Sequence, residues 1–364
     1  MGTQVRRWRR MPAVLAMAVL AGAGALAGAV PAAAATPDGY GFAYLDAPSQ
    51  MIGAVYVPDP AHQFTTSGGA VTIVRTGVGF YTVRFPGLGN PRGVAHVTAV
   101  NGLPVWCQLR GYGMAGADEL VTVACVHFGP ALSDSRFTVL FSTSSKPPAV
   151  PGAYGYVRAD PAGTVLDSYN SAAGPVSVVH VGFGDYAASL SGLGAPGLAG
   201  GVQVTAVNAS APARCKVAGW GVGPAGVNVR VRCFDSAGAL LDSGWTLSYQ
   251  RDRAISGAVA PPKQFGYVFD APGAPVQTNG NSIAGPGANT VVVAGVGLRL
   301  VIFPSVGTLE DHVQVTAVGP GSQWCGLNTI WGTFGGDAVV RDVICFDGAV
   351  LSDQLSLVTY TSRF

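Results

Sequence analysis

Charge is scarce in this chain: Asp, Glu, Lys and Arg together make up 11% of its 364 residues, against roughly a quarter in an average globular protein. There are only three lysines, Lys146, Lys216 and Lys263, and two glutamates, Glu119 and Glu310. A glycosidase built on paired glutamates is therefore excluded within any one segment, and a carboxylate pair would have to come from aspartates. No G-x-S-x-G nucleophile elbow and no P-loop occur, and no CxxC or Cys/His cluster offers a metal or redox site. Long amphipathic helical patterns are missing as well.

What the chain does contain is one phrase stated three times, each copy with its own cysteine pair: Cys107 with Cys125, Cys215 with Cys233, and Cys325 with Cys345. The tetrapeptide Val97–Val100 returns at Val204–Val207 and Val315–Val318, and an aspartate precedes a later strand at Asp134, Asp242 and Asp353. Successive copies lie about 110 residues apart, the length of a whole β-domain rather than a solenoid unit or propeller blade.

The first 35 residues read as an export signal: Arg6, Arg7, Arg9 and Arg10, then an apolar run from Ala13 to Val30, then small residues suited to cleavage. A membrane anchor is the rival reading of that run, but its Ala/Gly composition and Ala-x-Ala end favour cleavage. Removing it leaves 17 basic against 19 acidic residues, so the apparent basicity belongs to the leader. No basic patch then remains to suggest nucleic acid.

Proline-containing stretches separate the copies, Lys146-Pro147-Pro148 and Pro261-Pro262-Lys263, and place repeats at 36–146, 147–260 and 261–364. Within each the period is two. Val227, Val229, Val231 and Cys233 alternate with Asn228, Arg230 and Arg232, and Trp245, Leu247 and Tyr249 alternate with Thr246 and Ser248. Turn signals such as Asp347-Gly348 fall between the runs. The expected fold is all-β: three tandem antiparallel β-sandwiches of immunoglobulin-like size, each closed by one disulfide and showing hydroxyl-rich outer faces. Six cysteines in an exported chain, two per repeat, fit three structural bridges.

Candidate chemistry is thin. The G-x-G-x-x-G matches at Gly192–Gly197 and Gly221–Gly226 lack the strand-to-helix context of a nucleotide site and read as turns. Asp46, Asp160 and Asp270, like Asp134, Asp242 and Asp353, read as turn residues bonding nearby amides. Glu310-Asp311-His312 is the most polar cluster, best read as a solvated loop, since strand neighbours face opposite ways and cannot share one metal. Trp106 and Trp324 precede core-facing cysteines, so period two sends their rings to the outer face, where they can stack on a sugar or a partner. Arg214 occupies that position in the second repeat.

Three segments, Tyr169–Gly174, Gly79–Leu88 and Cys233-Phe234-Asp235 through Asp242-Ser243, together resemble repeats of uncharacterised secreted proteins of actinobacterial type. The resemblance spans the mature chain and supports the repeat boundaries; it implies no activity. In the third repeat Leu298-Arg299-Leu300 departs from Phe80-Tyr81-Thr82.

The reading that follows is a secreted, non-enzymatic structural or binding protein whose ligand is an extracellular glycan or protein, with Trp106 and Trp324 as candidate contacts and no metal or cofactor implied. The alternative is a secreted hydrolase with its site at a domain interface. The strand alternation and terminal Phe364 also suit an outer-membrane barrel, against which core disulfides and short closed repeats argue.

Overall fold

A computed structural model describes residues 39–145, 152–258 and 264–363; the leader and both proline pairs lie outside them. The described chain is all-β, with two short 3-10 turns, Pro60–His62 and Val276–Thr278. Among the described residues no helix is long and apolar enough to cross a membrane.

Each repeat divides its strands between two layers. In the first, the opening strand Gly39–Leu45, the motif strand Val94–Val100 and the closing strand Arg136–Thr143 pair antiparallel in one sheet. The cysteine strands Val105–Ala115 and Asp118–His127 pair with Phe80–Phe85 and Thr72–Gly77 in the other. Between the layers lie Val97, Phe137, Val139 and Phe141 from one side and Tyr81, Val83, Val121 and Cys125 from the other. This is the sandwich that period two foretold: alternate residues turn inward, and each large apolar side chain removed from water contributes about 1.5–3 kcal/mol. Equivalent cores form around Trp245 and Leu247 in the second repeat and around Phe303 and Tyr360 in the third.

The three expected disulfides are present, with sequence separations of 18, 18 and 20 residues. Each joins residues directly opposite one another on the two cysteine strands.

The sheets do not stop at the repeat boundaries. The motif strand of the first repeat runs parallel to the first cysteine strand of the third, meeting it at Val100 and Leu327. Val207 of the second repeat meets Leu109 of the first, and Val318 of the third meets Val217 of the second. One backbone bond closes each junction: Asn101 N–H to Leu327 O (2.7 Å), Asn208 N–H to Leu109 O (2.8 Å) and Gly319 N–H to Val217 O (2.8 Å). Three sheets of ten, ten and eight strands result, each shared by two repeats. Because the order of contacts is cyclic, the repeats form a closed ring about a pseudo-threefold axis.

Ring closure corrects the expectation of hydroxyl-rich outer faces. Thr98, Thr205 and Thr316 of the motif strands are buried, as are His96, Gln203 and Gln314 two residues earlier. They meet across the axis. Thr98 Oγ1 donates to Gln314 Oε1 at 2.8 Å, His96 Nδ1 lies 3.1 Å from Thr205 Oγ1, and Thr316 Oγ1 donates to Val204 O at 3.3 Å. The second face of each motif strand therefore supplies the seam between repeats, where buried hydroxyls are tolerable because each bonds a polar group of a neighbouring repeat.

Candidate functional site

In a closed threefold ring, equivalent positions that face the axis meet there. The position that differs among the repeats, Trp106, Arg214 and Trp324, does so. The two indoles stand edge to face with centroids 5.5 Å apart. The Arg214 guanidinium lies 4.6 Å from the ring of Trp106 and 4.4 Å from that of Trp324. Phe128 and Phe346 stack on Trp324 from outside. A planar cation between two electron-rich faces gains about 2 kcal/mol or more per face when desolvated.

The expected exposure of Trp106 and Trp324 is therefore corrected: they retain 5% and 6% of their accessible surface. Period two placed their rings on the face opposite the disulfides, which is right. That face is covered by the neighbouring repeats, so neither ring keeps a free face for a sugar. Trp106 Nε1 donates to Ala213 O of the second repeat at 3.1 Å, as a buried indole requires.

One turn of the pleat beyond Arg214 is Lys216, which shares its face and is 3% exposed. A cavity of about 50 Å³ lies beside it, lined by Thr98, Thr205, Thr316, Arg214, Lys216 and Trp324 among others. Burial, reinforced by repulsion from Arg214, lowers the Lys216 ammonium to about 7; Asp347 opposes this weakly. Burial likewise lowers Arg214 to about 10, with Asp235 and Asp347 opposing. Arg214 bonds one carbonyl, that of Ser236, through Nη1 at 3.4 Å. Lys216 Nζ, Arg214 Nε and Trp324 Nε1 are all buried donors with no hydrogen-bond acceptor.

No protein-family model matches the chain, and no curated protein or solved structure matches it either.

Around the ring's rim a second construction is triplicated. The turn glycines Gly79, Gly184 and Gly297 have φ of 68°, 65° and 68°, a region open to residues without a Cβ. Their carbonyls accept from the N–H of Cys125, Cys233 and Cys345. Their own N–H groups donate to Asp134, Asp242 and Asp353, which lie 55, 58 and 56 residues further along. These aspartates thus hold long-range corners rather than the nearby amides expected of them. Arg75, His180 and Arg299 pair with them in turn. Tyr81 and Tyr186 donate phenol hydroxyls to Asp134 and Asp242; in the third repeat Arg299 holds the tyrosine position and takes the role. Each corner leaves apolar side chains in solvent: Val78 with Leu132, Phe183 with Leu240, and Val296 with Leu351.

Glu310-Asp311-His312 is not a solvated loop. Asp311 and His312 open a motif strand and are fully buried, facing opposite ways. Asp311 accepts from Trp331 Nε1 (2.9 Å) and Tyr360 (3.0 Å), and lies 2.9 Å from His62 Nδ1 of the first repeat. His312 stacks on Phe42. Among the described residues no group of three His, Cys, Asp or Glu could hold a metal.

Sequence reasoning singled out Trp106, Arg214 and Trp324 but missed Lys216. The signal was available: Lys216 is the one lysine outside the proline-rich segments, in a chain where charge is rare.

Proposed function

We propose that this is a secreted, non-enzymatic structural or binding protein, a disulfide-braced ring that offers one apolar corner three times to an extracellular target. The triplicated corner carries this reading. Val78, Phe183 and Val296 stand at equivalent places and so at one level along the axis, each mounted on a disulfide strand, an aspartate and a turn glycine. Three weak contacts on a rigid frame bind a repeated or extended surface by avidity. The corners are aliphatic or phenyl rather than paired aromatic platforms, which favours a protein surface over a sugar. Three disulfides accord with an oxidising compartment.

The test is binding of the mature chain to arrays of cell-surface proteins and glycans, with Val78→Ser, Phe183→Ser and Val296→Ser made singly and together. Stepwise loss of retention, at least about tenfold for the triple variant, is the expected result. Retention unchanged in the triple variant sinks the corner hypothesis.

A hydrolase at a repeat interface is the second reading, favoured by one observation. His62 of the first repeat is oriented by buried Asp311 of the third, the histidine–carboxylate half of a nucleophile-activating relay. Both Asp311 oxygens also hold the fold, through Trp331 and Tyr360. Turnover on a peptide, ester and glycan panel that disappears in His62→Ala would replace the binding reading with this one.

A further inference from the structure

We propose that the axial cavity is a binding site for a small monovalent inorganic anion of halide size. Every side-chain atom lining the cavity that is buried without a partner is a donor: Lys216 Nζ, Arg214 Nε and Trp324 Nε1. A water molecule would satisfy some of them, but it brings protons of its own and leaves the charge uncompensated. An anion accepts from all three and neutralises the buried cation. No carboxylate performs that task, since neither Lys216 nor Arg214 forms an ion pair among the described residues. Asp235 and Asp347 act on them only at a distance.

Size narrows the ligand. The cavity volume is about 50 Å³, several times the ~10–15 Å³ that admits one water-sized particle and far below the ~300 Å³ of a pocket for an organic ligand. Sugars, nucleotides and peptides are excluded. The walls are the motif-strand stretches around Thr98, Thr205 and Thr316 together with the indoles of Trp106 and Trp324. The site exists only in the closed ring, because its donors come from the second repeat and the third, and its walls from all three. It is also confined to one place on the axis. The residues equivalent to Lys216 are Gln108, whose amide is engaged by Asn208, Ala211 and Ala213, and Gly326.

Anion binding is coupled to the lysine proton. The charged groups that face Lys216 are Arg214 on its own strand and Asp347 from the third repeat. A bound anion favours the ammonium, so affinity should rise as pH falls through about 7.

The experiment is thermal unfolding of the mature chain in sodium chloride against sodium gluconate at equal ionic strength, gluconate being too large to enter. Bromide-soaked crystals then locate the ion by anomalous scattering. The expected result is a melting temperature that rises by roughly 2 °C or more from gluconate to chloride, with a bromide peak within hydrogen-bond distance of Lys216 Nζ. In Lys216→Met both the peak and the halide dependence should vanish. Should that variant fail to fold, Lys216→Gln serves, and the wild-type chloride–gluconate comparison stands by itself. Equal melting in the two salts, a bromide peak seen only elsewhere, or a peak that persists in Lys216→Met overturns the proposal.

Discussion

Asp134 shows how much one side chain can hold. Burial alone would raise its carboxyl, but the bonds from Arg75, Gly79 and Tyr81 outweigh that and keep it below the usual carboxylate range. Removing it orphans the Gly79 N–H and strips Arg75 of its carboxylate, while Tyr81 keeps Pro48 O, so Asp134→Ala should cost about 1–3 kcal/mol in chemical denaturation. Asp353 has two such partners and is more than half exposed; Asp353→Ala should cost clearly less than Asp134→Ala. Equal losses would show that the corners do not depend on the extra bonds. His312 gives a prediction with a sign. Burial lowers its imidazole to about 3, so the unfolded chain takes up a proton that the folded chain refuses as pH falls from about 6.5 towards 3. Stability from neutral His312 is thus present at neutral pH and lost on acidification. Buried Glu119, raised to about 7 by burial, has the opposite slope, so the informative quantity is a difference. Relative to wild type, His312→Phe should become progressively more stable in urea between pH 6.5 and 4; a constant difference would contradict the assignment.

At the scale of elements, the strands and the disulfide pairing were legible and the partners of the strands were not. Period two placed Cys107 and Cys125 on the inner face and Trp106 on the other, and both placements hold. What alternation cannot say is whether the second face meets water or protein. Thr98, Thr205 and Thr316 carry hydroxyls that suit either, and here they meet each other's repeats. The indoles of Trp106 and Trp324 were likewise ambiguous, being as much at home at a seam as on a surface. Asp311 was misjudged for a related reason: three polar residues in a row suggest solvent, yet Trp331 and Tyr360, which arrive from 20 and 49 residues away, satisfy it in the interior. The turn glycines and aspartates were visible as a repeated phrase, but their bonding across 55 to 58 residues belongs to the sandwich and not to local sequence. The cysteine hairpin is the element most open to direct test. Replacing both Cys215 and Cys233 by alanine should lower stability by about 2–4 kcal/mol through the unfolded chain's regained freedom, read as a shift in the urea midpoint. A change below about 0.5 kcal/mol would mean the hairpin is held by its ladder alone.

For the whole molecule the decisive fact is that each sheet belongs to two repeats. Repeats of about 110 residues are long enough to fold alone, and a string of such domains melts in separate steps. Here Val207, Val318 and Val100 each pack into a neighbour's core, and the buried polar seam would be exposed if any one repeat unfolded. Calorimetry should therefore show a single cooperative transition, with the calorimetric enthalpy equal to the van't Hoff enthalpy; three resolved transitions would contradict it.

The junction between the third repeat and the first has no peptide linking it, yet Val100 and Leu327 meet as the two covalently connected junctions do. Covalent order is therefore incidental to the shape. Near Phe64 the strand carrying Tyr40 and the guanidinium of Arg363 lie against the same ring, 5.3 Å and 6.0 Å from its centre. A chain spliced there and opened instead between the first and second repeats would keep all three cross-repeat pairings.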